Sequence, residues 1–132
     1  MNPKTVCISG VSKGLGKALS IEFDQRGWQV AGCARTTSAL IKVGSQLSNS
    51  HFFRSVDITN LKQVLTFSEE VIENLGSPTL LVNNAGKINS NARLHEVSED
   101  EFLEVFKVNV CGTHNLFSAV LPKLKGLYQG LS

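Results

Sequence analysis

The chain has 132 residues, of which 42% are hydrophobic and 18% charged, a composition typical of a single soluble globular domain. Its formal net charge of +2 is small and its lysines and arginines are scattered, which excludes the basic stripe expected of a protein that binds nucleic acid or a membrane surface. No apolar run approaches the roughly 20 residues of a membrane span, and the first predicted strand begins too early for a leader peptide. We therefore expect a cytoplasmic protein that binds neither nucleic acid nor membrane.

The cysteines and histidines form no recognisable metal or disulfide pattern. Cys7, Cys33 and Cys111 are widely spaced, two within apolar strand-like runs and one within a helical pattern, so we expect three small buried thiols. The three histidines show no ligand spacing with one another or with carboxylates. No metal site is expected.

Apolar runs and helical periodicities alternate along the chain. Strands are predicted at 4–9, 28–34, 51–58 and 79–82, and helices at 15–26, 36–47 and 61–75, with a longer helix from 99 to the Pro122 that ends its pattern. Four βα units imply right-handed crossovers and a parallel sheet. The predicted fold is therefore α/β, a Rossmann-like doubly wound parallel sheet of strand order 3-2-1-4, formed by residues 1–122 and followed by a short tail, 123–132.

A glycine-rich loop, Ser9-Gly10-Val11-Ser12-Lys13-Gly14-Leu15-Gly16, connects the first predicted strand to the first helix. Glycines let the backbone approach an anion closely, and the N–H groups and positive dipole end of the helix would point at it. The loop therefore indicates a phosphate site, and a dinucleotide is the first ligand to consider. Taken alone, three glycines in eight residues are equally compatible with a purely structural turn.

The ends of the other three predicted strands also carry polar side chains. Arg35 follows the second strand, Asp57 lies at the end of the third and Asn84 follows the fourth. Ligands of doubly wound sheets bind at the carboxyl ends of the strands, beside the point where the strand order reverses. These side chains would meet there, so together with the glycine loop they predict a dinucleotide site.

The residue at the end of the second strand indicates which dinucleotide binds. NAD sites have an Asp or Glu there, which accepts hydrogen bonds from the ribose 2′-hydroxyl, whereas this strand ends in Gly32-Cys33-Ala34-Arg35 without an acid. Arg35 can pair with a 2′-phosphate, and Lys13 can add a second positive charge. The sequence therefore predicts NADP. The alternative is that Arg35 is a solvated residue at the start of a helix.

One polar residue lies within the apolar stripe of the long helix. Asn109 shares that stripe with apolar residues at helical spacing, among them Phe102, Phe106 and Leu116. A buried amide must find hydrogen-bond partners or costs about 1–3 kcal/mol. We therefore expect Asn109 to be buried and to have a role beyond packing.

These motifs occur in the order found in one enzyme family. Because Ser9-Gly10-x-x-x-Gly14-x-Gly16, Arg35, Asp57, Asn83-Asn84-Ala85-Gly86 and Asn109 follow one another, the sequence resembles the short-chain dehydrogenases/reductases over residues 4 to about 122. Within that family, the residues at 10–16, 32–35, 88–91 and 96–98 look like those of the NADPH-dependent pterin aldehyde reductases of plants. A flavodoxin-like or receiver domain is disfavoured, because it would not require the motif at 83–86.

The resemblance implies a role for each matched residue. The cofactor would be bound by Gly10, Ser12, Lys13, Gly14, Leu15, Gly16, Arg35, Asp57, Ile58, Asn84, Ala85 and Gly86. The glycine loop would line the pyrophosphate and ribose, Arg35 would hold the 2′-phosphate, and Asp57 with Ile58 would border the adenine. The motif at 83–86 would run beside the nicotinamide ribose, with Asn83 tying neighbouring strands. Asn109, the candidate catalytic residue, would hold a water in a proton relay that ends at a Tyr-x-x-x-Lys pair assisted by a serine.

The sequence departs from the family in these last catalytic residues. Its only tyrosine, Tyr128, is followed four residues later by Ser132 rather than by a lysine, and neither residue follows a fifth apolar strand. Carbonyl reduction needs a general acid for the developing alkoxide, which the tyrosine and lysine would supply. We therefore expect the N-terminal half of the family fold, without the later strands, from a fragment, an incomplete gene model or a splice product.

Two functions are open at this point. The first is an NADP(H)-dependent oxidoreductase by lineage, whose full-length form reduces a small carbonyl substrate, an aldehyde or ketone such as a pterin aldehyde. The second is a catalytically inactive nucleotide-binding or dimerisation module. For either, an unpaired fourth strand and a long apolar helix predict that the isolated chain self-associates.

Overall fold

The computed structural model describes residues 3–87 and 92–126. Its strands are β1 (Thr5–Ser9), β2 (Gln29–Ala34), β3 (His51–Ser55) and β4 (Leu80–Val82), and its helices are α1 (Gly14–Gln25), α2 (Thr37–Gly44), α3 (Leu61–Leu75), α4 (Glu99–Phe106) and α5 (Thr113–Val120). A π-helical segment, Lys107–Gly112, joins α4 to α5, and short 3-10 turns lie at Leu94–Glu96 and Leu121–Lys123. Tyr128, Ser132 and the motif at 88–91 lie outside the described residues.

The four strands form one parallel sheet in the order β3-β2-β1-β4. In the middle of β1, Cys7 lies opposite Ala31 of β2 on one side and Leu81 of β4 on the other. The strand order therefore reverses at β1, and the loops that follow β1 and β4 are neighbours. This arrangement confirms the predicted α/β fold and the 3-2-1-4 order.

Alternate residues of β1 face two different core clusters, because successive side chains of a strand point to opposite sides of the sheet. Cys7 is buried in a cluster with Phe67 of α3 and Leu116 of α5. Ile8 is buried in a second cluster with Leu40 of α2. Helices thus cover both faces of the sheet, and β1 is buried along its whole length.

Two helices begin at side-chain caps, at the residues where the sequence predicts these helices to start. At the start of α3, Gln63 N–H donates to Asn60 Oδ1 at 3.1 Å, and at the start of α4, Glu101 N–H donates to Ser98 Oγ at 3.1 Å. These caps satisfy backbone donors that the first helical turn leaves without partners. The predicted starts of both helices are therefore confirmed.

The third strand and the second helix end earlier than the sequence predicts. β3 ends at Ser55 rather than at residue 58, because its partner β2 ends at Ala34, opposite Ser55. Asp57 and Ile58 consequently lie in the loop beyond the strand. α2 ends at Gly44, after which the Leu47 N–H bonds back to the Gly44 carbonyl in a tighter turn.

The apolar stripe predicted for the long helix is confirmed only in its C-terminal part, and a π-helical segment interrupts the helix. Phe102 and Phe106 of α4 are each 49% exposed. The wider i+5 turn of Lys107–Gly112 changes the angular positions of the residues around it relative to a regular helix. Leu116, a residue of the predicted stripe, is buried as expected, and Val108 reaches the core as well.

Two further expectations for this region are wrong. Asn109 is exposed rather than buried, so its amide does not carry the desolvation cost of a buried group. Cys111 is also exposed, whereas Cys7 and Cys33 are buried as predicted. Both Asn109 and Cys111 lie within the π-helical segment, whose buried residues are Val108 and Gly112.

The described part of the chain has neither a metal cluster nor a membrane-crossing helix. In residues 3–87 and 92–126, no three His, Cys, Asp or Glu side chains are grouped so that they could hold a metal ion. Across those same residues, no helix combines the length and the hydropathy that crossing a bilayer requires.

Candidate cofactor site

A cleft of about 700 Å³ lies at the carboxyl ends of the strands. Its walls come from the loops that follow all four strands and from the π-helical segment. Of the residues predicted to bind a cofactor, those that line the cleft are Gly10, Ser12, Lys13, Gly14, Arg35, Ile58, Asn84, Ala85 and Gly86. The lining does not include Leu15, Gly16, Asp57 or Asn109.

The loop between β1 and α1 presents the start of α1 to the cleft. Gly10 and Gly14 have φ angles of 73° and 56°, in the left-handed region that a side chain disfavours. Lys13 is the N-cap residue and its side chain makes no capping hydrogen bond. Leu15, in the first turn, is 66% exposed. An uncapped helix start at the edge of a cleft suits a phosphate group.

Gly16 lies behind the cleft, where it permits close packing. A Cβ atom at this position would lie 1.9 Å from the Gly10 carbonyl oxygen and 2.6 Å from Asn84 Nδ2. Only a residue without a Cβ lets α1 begin so close to the loop. Gly16 therefore shapes the cleft without lining it.

Ser9 is part of the glycine-loop motif but has no role among the predicted site residues, and it ties the loops after β1 and β4 together. Its buried hydroxyl accepts hydrogen bonds from the N–H groups of Asn84 and Ala85, at 3.0 and 2.9 Å. Asn84 Nδ2 in turn donates to the Gly10 carbonyl at 3.0 Å. The position of Ser9 at the end of a buried strand next to the glycine loop is the signal that could have identified it.

Asn83 connects this region to α5. Its Nδ2 donates to Thr113 Oγ1 at 3.1 Å, while its Oδ1 accepts from Ser9 Oγ at 3.4 Å. The tie between β1 and the β4 loop that the sequence assigns to Asn83 is therefore shared with Asn84. The hydrogen bonds of both amides hold the loop after β4 in place next to Ala85.

The cleft also has an apolar wall. Val56, Ile58 and Val108 line it and are buried. Cys33 lines it as well, and burial raises the pKa of its thiol to about 12, so this thiol is neutral at physiological pH. An apolar wall beside a helix start suits a ligand with an aromatic ring at one end and phosphates further along.

Arg35 lies at the edge of the cleft between two carboxylates. Its Nη2 is 3.9 Å from Asp57 Oδ1 and 3.7 Å from Glu104 Oε1, and its side chain is 57% exposed. Glu104 belongs to α4 and is also 4.0 Å from Lys87 Nζ. The sequence pattern does not identify Glu104, since helical periodicity locates an apolar face and says nothing about which charges meet across loops.

Asp57 is held by its own loop rather than aimed into the cleft. Its Oδ1 accepts from the Thr59 hydroxyl at 2.7 Å and from the Thr59 N–H at 3.0 Å. The hydroxyl bond lowers the pKa of Asp57 most, with help from the backbone bond and from nearby Arg35 and Lys107, while partial burial opposes the shift. Asp57 is therefore ionised at neutral pH and adds negative charge beside Arg35.

The Asn109 side chain is bonded to the backbone of the β4 loop. Its Oδ1 accepts from the Lys87 N–H at 2.8 Å, and its Nδ2 donates to the Lys87 carbonyl at 2.7 Å. These two bonds attach the π-helical segment to the end of the motif at 83–86, where a Cβ on Gly86 would lie 3.4 Å from Asn109 Oδ1. The amide is thus satisfied by protein groups although it is exposed.

The arrangement of the described residues can hold a ligand. Among the described residues, the lining combines a helix start, Lys13, Arg35 and an apolar wall, and it includes no tyrosine, histidine or carboxylate. A nicotinamide dinucleotide fits this set, because it offers phosphates, an aromatic base and, in the phosphorylated form, a second anionic group. The described part of the cleft therefore fits cofactor binding.

Comparison with known proteins gives one family. The profile of the short chain dehydrogenases matches residues 4–131. Over 130 residues the chain is 39% identical to an NADPH-dependent pterin aldehyde reductase from Arabidopsis thaliana. The aligned region covers 97% of this chain and 54% of that protein. It is 30% identical over 122 residues to an L-fucose dehydrogenase from Mus musculus, covering 92% of this chain and 44% of that protein. The chain thus spans about half the length of these curated relatives.

Solved structures share the fold. An alcohol dehydrogenase from the archaeon Thermococcus sibiricus, complexed with 5-hydroxy-NADP, has a TM-score of 0.88 and 32% identity and covers 96% of this chain and 55% of that one. An actinorhodin polyketide ketoreductase with NADPH has a TM-score of 0.89 at 24% identity, a similarity that shows the fold alone. Because the family profile spans almost the entire sequence, the chain belongs to the short-chain dehydrogenase family.

Proposed function

We propose that this chain forms the NADP(H)-binding part of an oxidoreductase that reduces a small aldehyde or ketone, with a pterin aldehyde as the first substrate to test. The observation that carries the choice of NADP(H) is Arg35 at the end of β2, at the edge of the cleft, where an NAD site would have an acid. The 39% identity to an NADPH-dependent pterin aldehyde reductase supports both the cofactor and the substrate class.

In this proposal each wall of the cleft holds one part of the cofactor. The start of α1 would bind the pyrophosphate, Arg35 and Lys13 the 2′-phosphate, the apolar wall the adenine, and Ala85 with Gly86 the nicotinamide ribose. Leu15 and Asp57 would flank these contacts from outside the lining. Bound NADPH would supply a hydride to the substrate carbonyl carbon. Asn109, fixed by Lys87, would hold a water at the end of the proton path.

A second candidate function is a catalytically inactive nucleotide-binding or dimerisation module. It is favoured by one observation: among the described residues, the lining of the cleft includes no tyrosine, histidine or carboxylate. Both candidates predict that the 132-residue chain binds NADPH and gives no aldehyde-dependent NADPH oxidation above background. Sequencing the transcript past codon 132 separates them, since a downstream Tyr-x-x-x-Lys supports the reductase and a stop codon supports the inactive module.

Titration with NADPH and with NADH tests the cofactor assignment. We expect the chain to bind NADPH at least about tenfold more tightly than NADH, and Arg35→Ala to remove most of that preference, because a charge-assisted phosphate contact is lost. Arg26→Ala is the matched control, since Arg26 pairs with Glu22 at the end of α1. Equal affinities for the two cofactors, or an unchanged preference in Arg35→Ala, would contradict the 2′-phosphate assignment.

A further inference from the structure

The surroundings of Arg35 assign a role to Glu104, a residue of α4 outside the lining of the cleft. We propose that Glu104 is a specificity-determining residue: it pairs with Arg35 in the cofactor-free protein and thereby lowers the affinity for a cofactor that carries a 2′-phosphate. The inference rests on the proposed function, because it takes Arg35 as the residue that meets that phosphate.

The geometry of the pair allows exchange. Glu104 Oε1 lies 3.7 Å from Arg35 Nη2 and 4.0 Å from Lys87 Nζ, beyond the roughly 2.7–2.9 Å of a direct charge-assisted hydrogen bond. The exposed fractions of the three side chains are 42% for Glu104, 57% for Arg35 and 45% for Lys87. Solvent and a ligand anion can therefore reach the guanidinium, which is held loosely.

Glu104 differs in this respect from the other carboxylate beside Arg35. Asp57 is anchored by two hydrogen bonds from Thr59. Within residues 3–87 and 92–126, the Glu104 carboxylate has only the two cations as partners. When a phosphate pairs with Arg35, Glu104 can keep its ion pair with Lys87, whereas the hydrogen bonds from Thr59 hold Asp57 in its position. Glu104 is thus the carboxylate whose pairing can change on binding.

The sign of the effect follows from the charges. A 2′-phosphate carries about −1.5 to −2 charges near neutral pH, so it competes with Glu104 for Arg35 and is repelled by the carboxylate itself. NADH has a hydroxyl at that position and lacks both effects. Glu104 therefore lowers the affinity for NADPH without lowering that for NADH. It thereby reduces the preference for NADPH over NADH that Arg35 creates.

The test measures dissociation constants for NADPH and NADH on Glu104→Gln, which removes the charge and keeps the shape. We expect NADPH to bind about three- to tenfold more tightly and NADH to change by less than about twofold, with the gain shrinking at high salt. Glu104→Lys, which reverses the charge, should give a larger gain. Glu73→Gln is the matched control, because it removes the same charge from an exposed position on α3.

A double variant shows whether Glu104 acts through Arg35. In the Arg35→Ala background, Glu104→Gln should raise NADPH affinity less than it does in the unmodified chain, because only the direct repulsion between the carboxylate and the phosphate remains to be relieved. Weaker NADPH binding in Glu104→Gln, or equal gains for both cofactors, would overturn the inference, as would the same gain in Glu73→Gln. The proposed function can be rejected independently of this inference. If the unmodified chain shows no preference for NADPH over NADH, the cofactor assignment is wrong. If the chain prefers NADPH and Glu104→Gln leaves that preference unchanged, only the role of Glu104 is rejected.

Discussion

Gly14 and Gly16 lie two residues apart at the start of α1, yet an added methyl group would meet different surroundings at each. At Gly16 a Cβ would lie 1.9 Å from the Gly10 carbonyl oxygen, a backbone atom that no rotamer change can move away. At Gly14 nothing lies within 4 Å, and the φ of +56° is the only obstacle. The loop therefore needs glycine at 16 for space and at 14 for backbone conformation.

We expect Gly16→Ala to lower the free energy of unfolding by more than the roughly 1–3 kcal/mol typical of overpacking, because loop and helix must separate. Gly14→Ala should lower the free energy of unfolding by only about 1–2 kcal/mol, which is the strain of a residue with a side chain in the left-handed region. Urea unfolding followed by circular dichroism measures both variants. Similar losses for the two would mean that the start of α1 can move outward to accept a Cβ.

Some residues of the site could be predicted from the sequence and others could not. The glycine loop, Arg35 and Asn84 can be predicted to lie together, because each directly follows a strand whose carboxyl end must reach the same edge of the sheet. Glu104 could not be predicted, because its approach to Arg35 is a tertiary contact between α4 and the loop after β2. The satisfaction of Asn109 by the Lys87 backbone is likewise a tertiary contact without a local sequence signal.

The elements with one clear sequence pattern were predictable, whereas the long helix from α4 to α5, which contains two kinds of helical turn, was not. β1 reads as a buried strand, and α3 combines a polar cap, one apolar face and a terminal glycine, so local signals and tertiary packing agree. The region from α4 to α5 contains a π-helical segment, which a periodicity that assumes regular turns does not predict. The exposure of Phe102 and Phe106 was not predicted either, because the periodicity places them on one stripe with the buried Leu116.

The link between the π-helical segment and the β4 loop depends on one amide. We expect Asn109→Ala to speed hydrogen–deuterium exchange of the Lys87 amide and to destabilise the chain by about 1 kcal/mol, because both Lys87 backbone bonds are lost. NADPH binding should weaken severalfold, since the loop beside Gly86 loses its anchor. Asn74→Ala, which removes an exposed amide bonded to the Glu70 carbonyl, is the control.

Asn109→Asp refines this test, because its carboxylate can still accept from the Lys87 N–H but cannot donate to the Lys87 carbonyl. Its exchange rate at Lys87 should lie between those of the unmodified chain and Asn109→Ala. Unchanged protection of the Lys87 amide in Asn109→Ala would show that the loop is held by other contacts.

At the scale of the whole molecule, large apolar side chains remain exposed along one part of the chain. Phe102, Leu103, Phe106, Val110 and Phe117 are 38–51% exposed, and Leu80 of β4 is 40% exposed. In the described residues β4 pairs only with β1, so its other side presents unpaired backbone groups at the edge of the sheet. Unpaired strand edges and exposed apolar clusters both favour association.

We therefore expect the 132-residue chain, expressed on its own, to self-associate. Its apparent mass in size-exclusion chromatography with light scattering should rise with concentration. Phe106→Ser should weaken this association by removing apolar surface, and Leu80→Lys should weaken it by placing a charge at the sheet edge. Ile41→Ser is the matched control, since Ile41 is 68% exposed on α2, away from α4 and β4 in the chain. A monomer at every concentration, with a single cooperative thermal transition, would show that these exposed groups do not drive association.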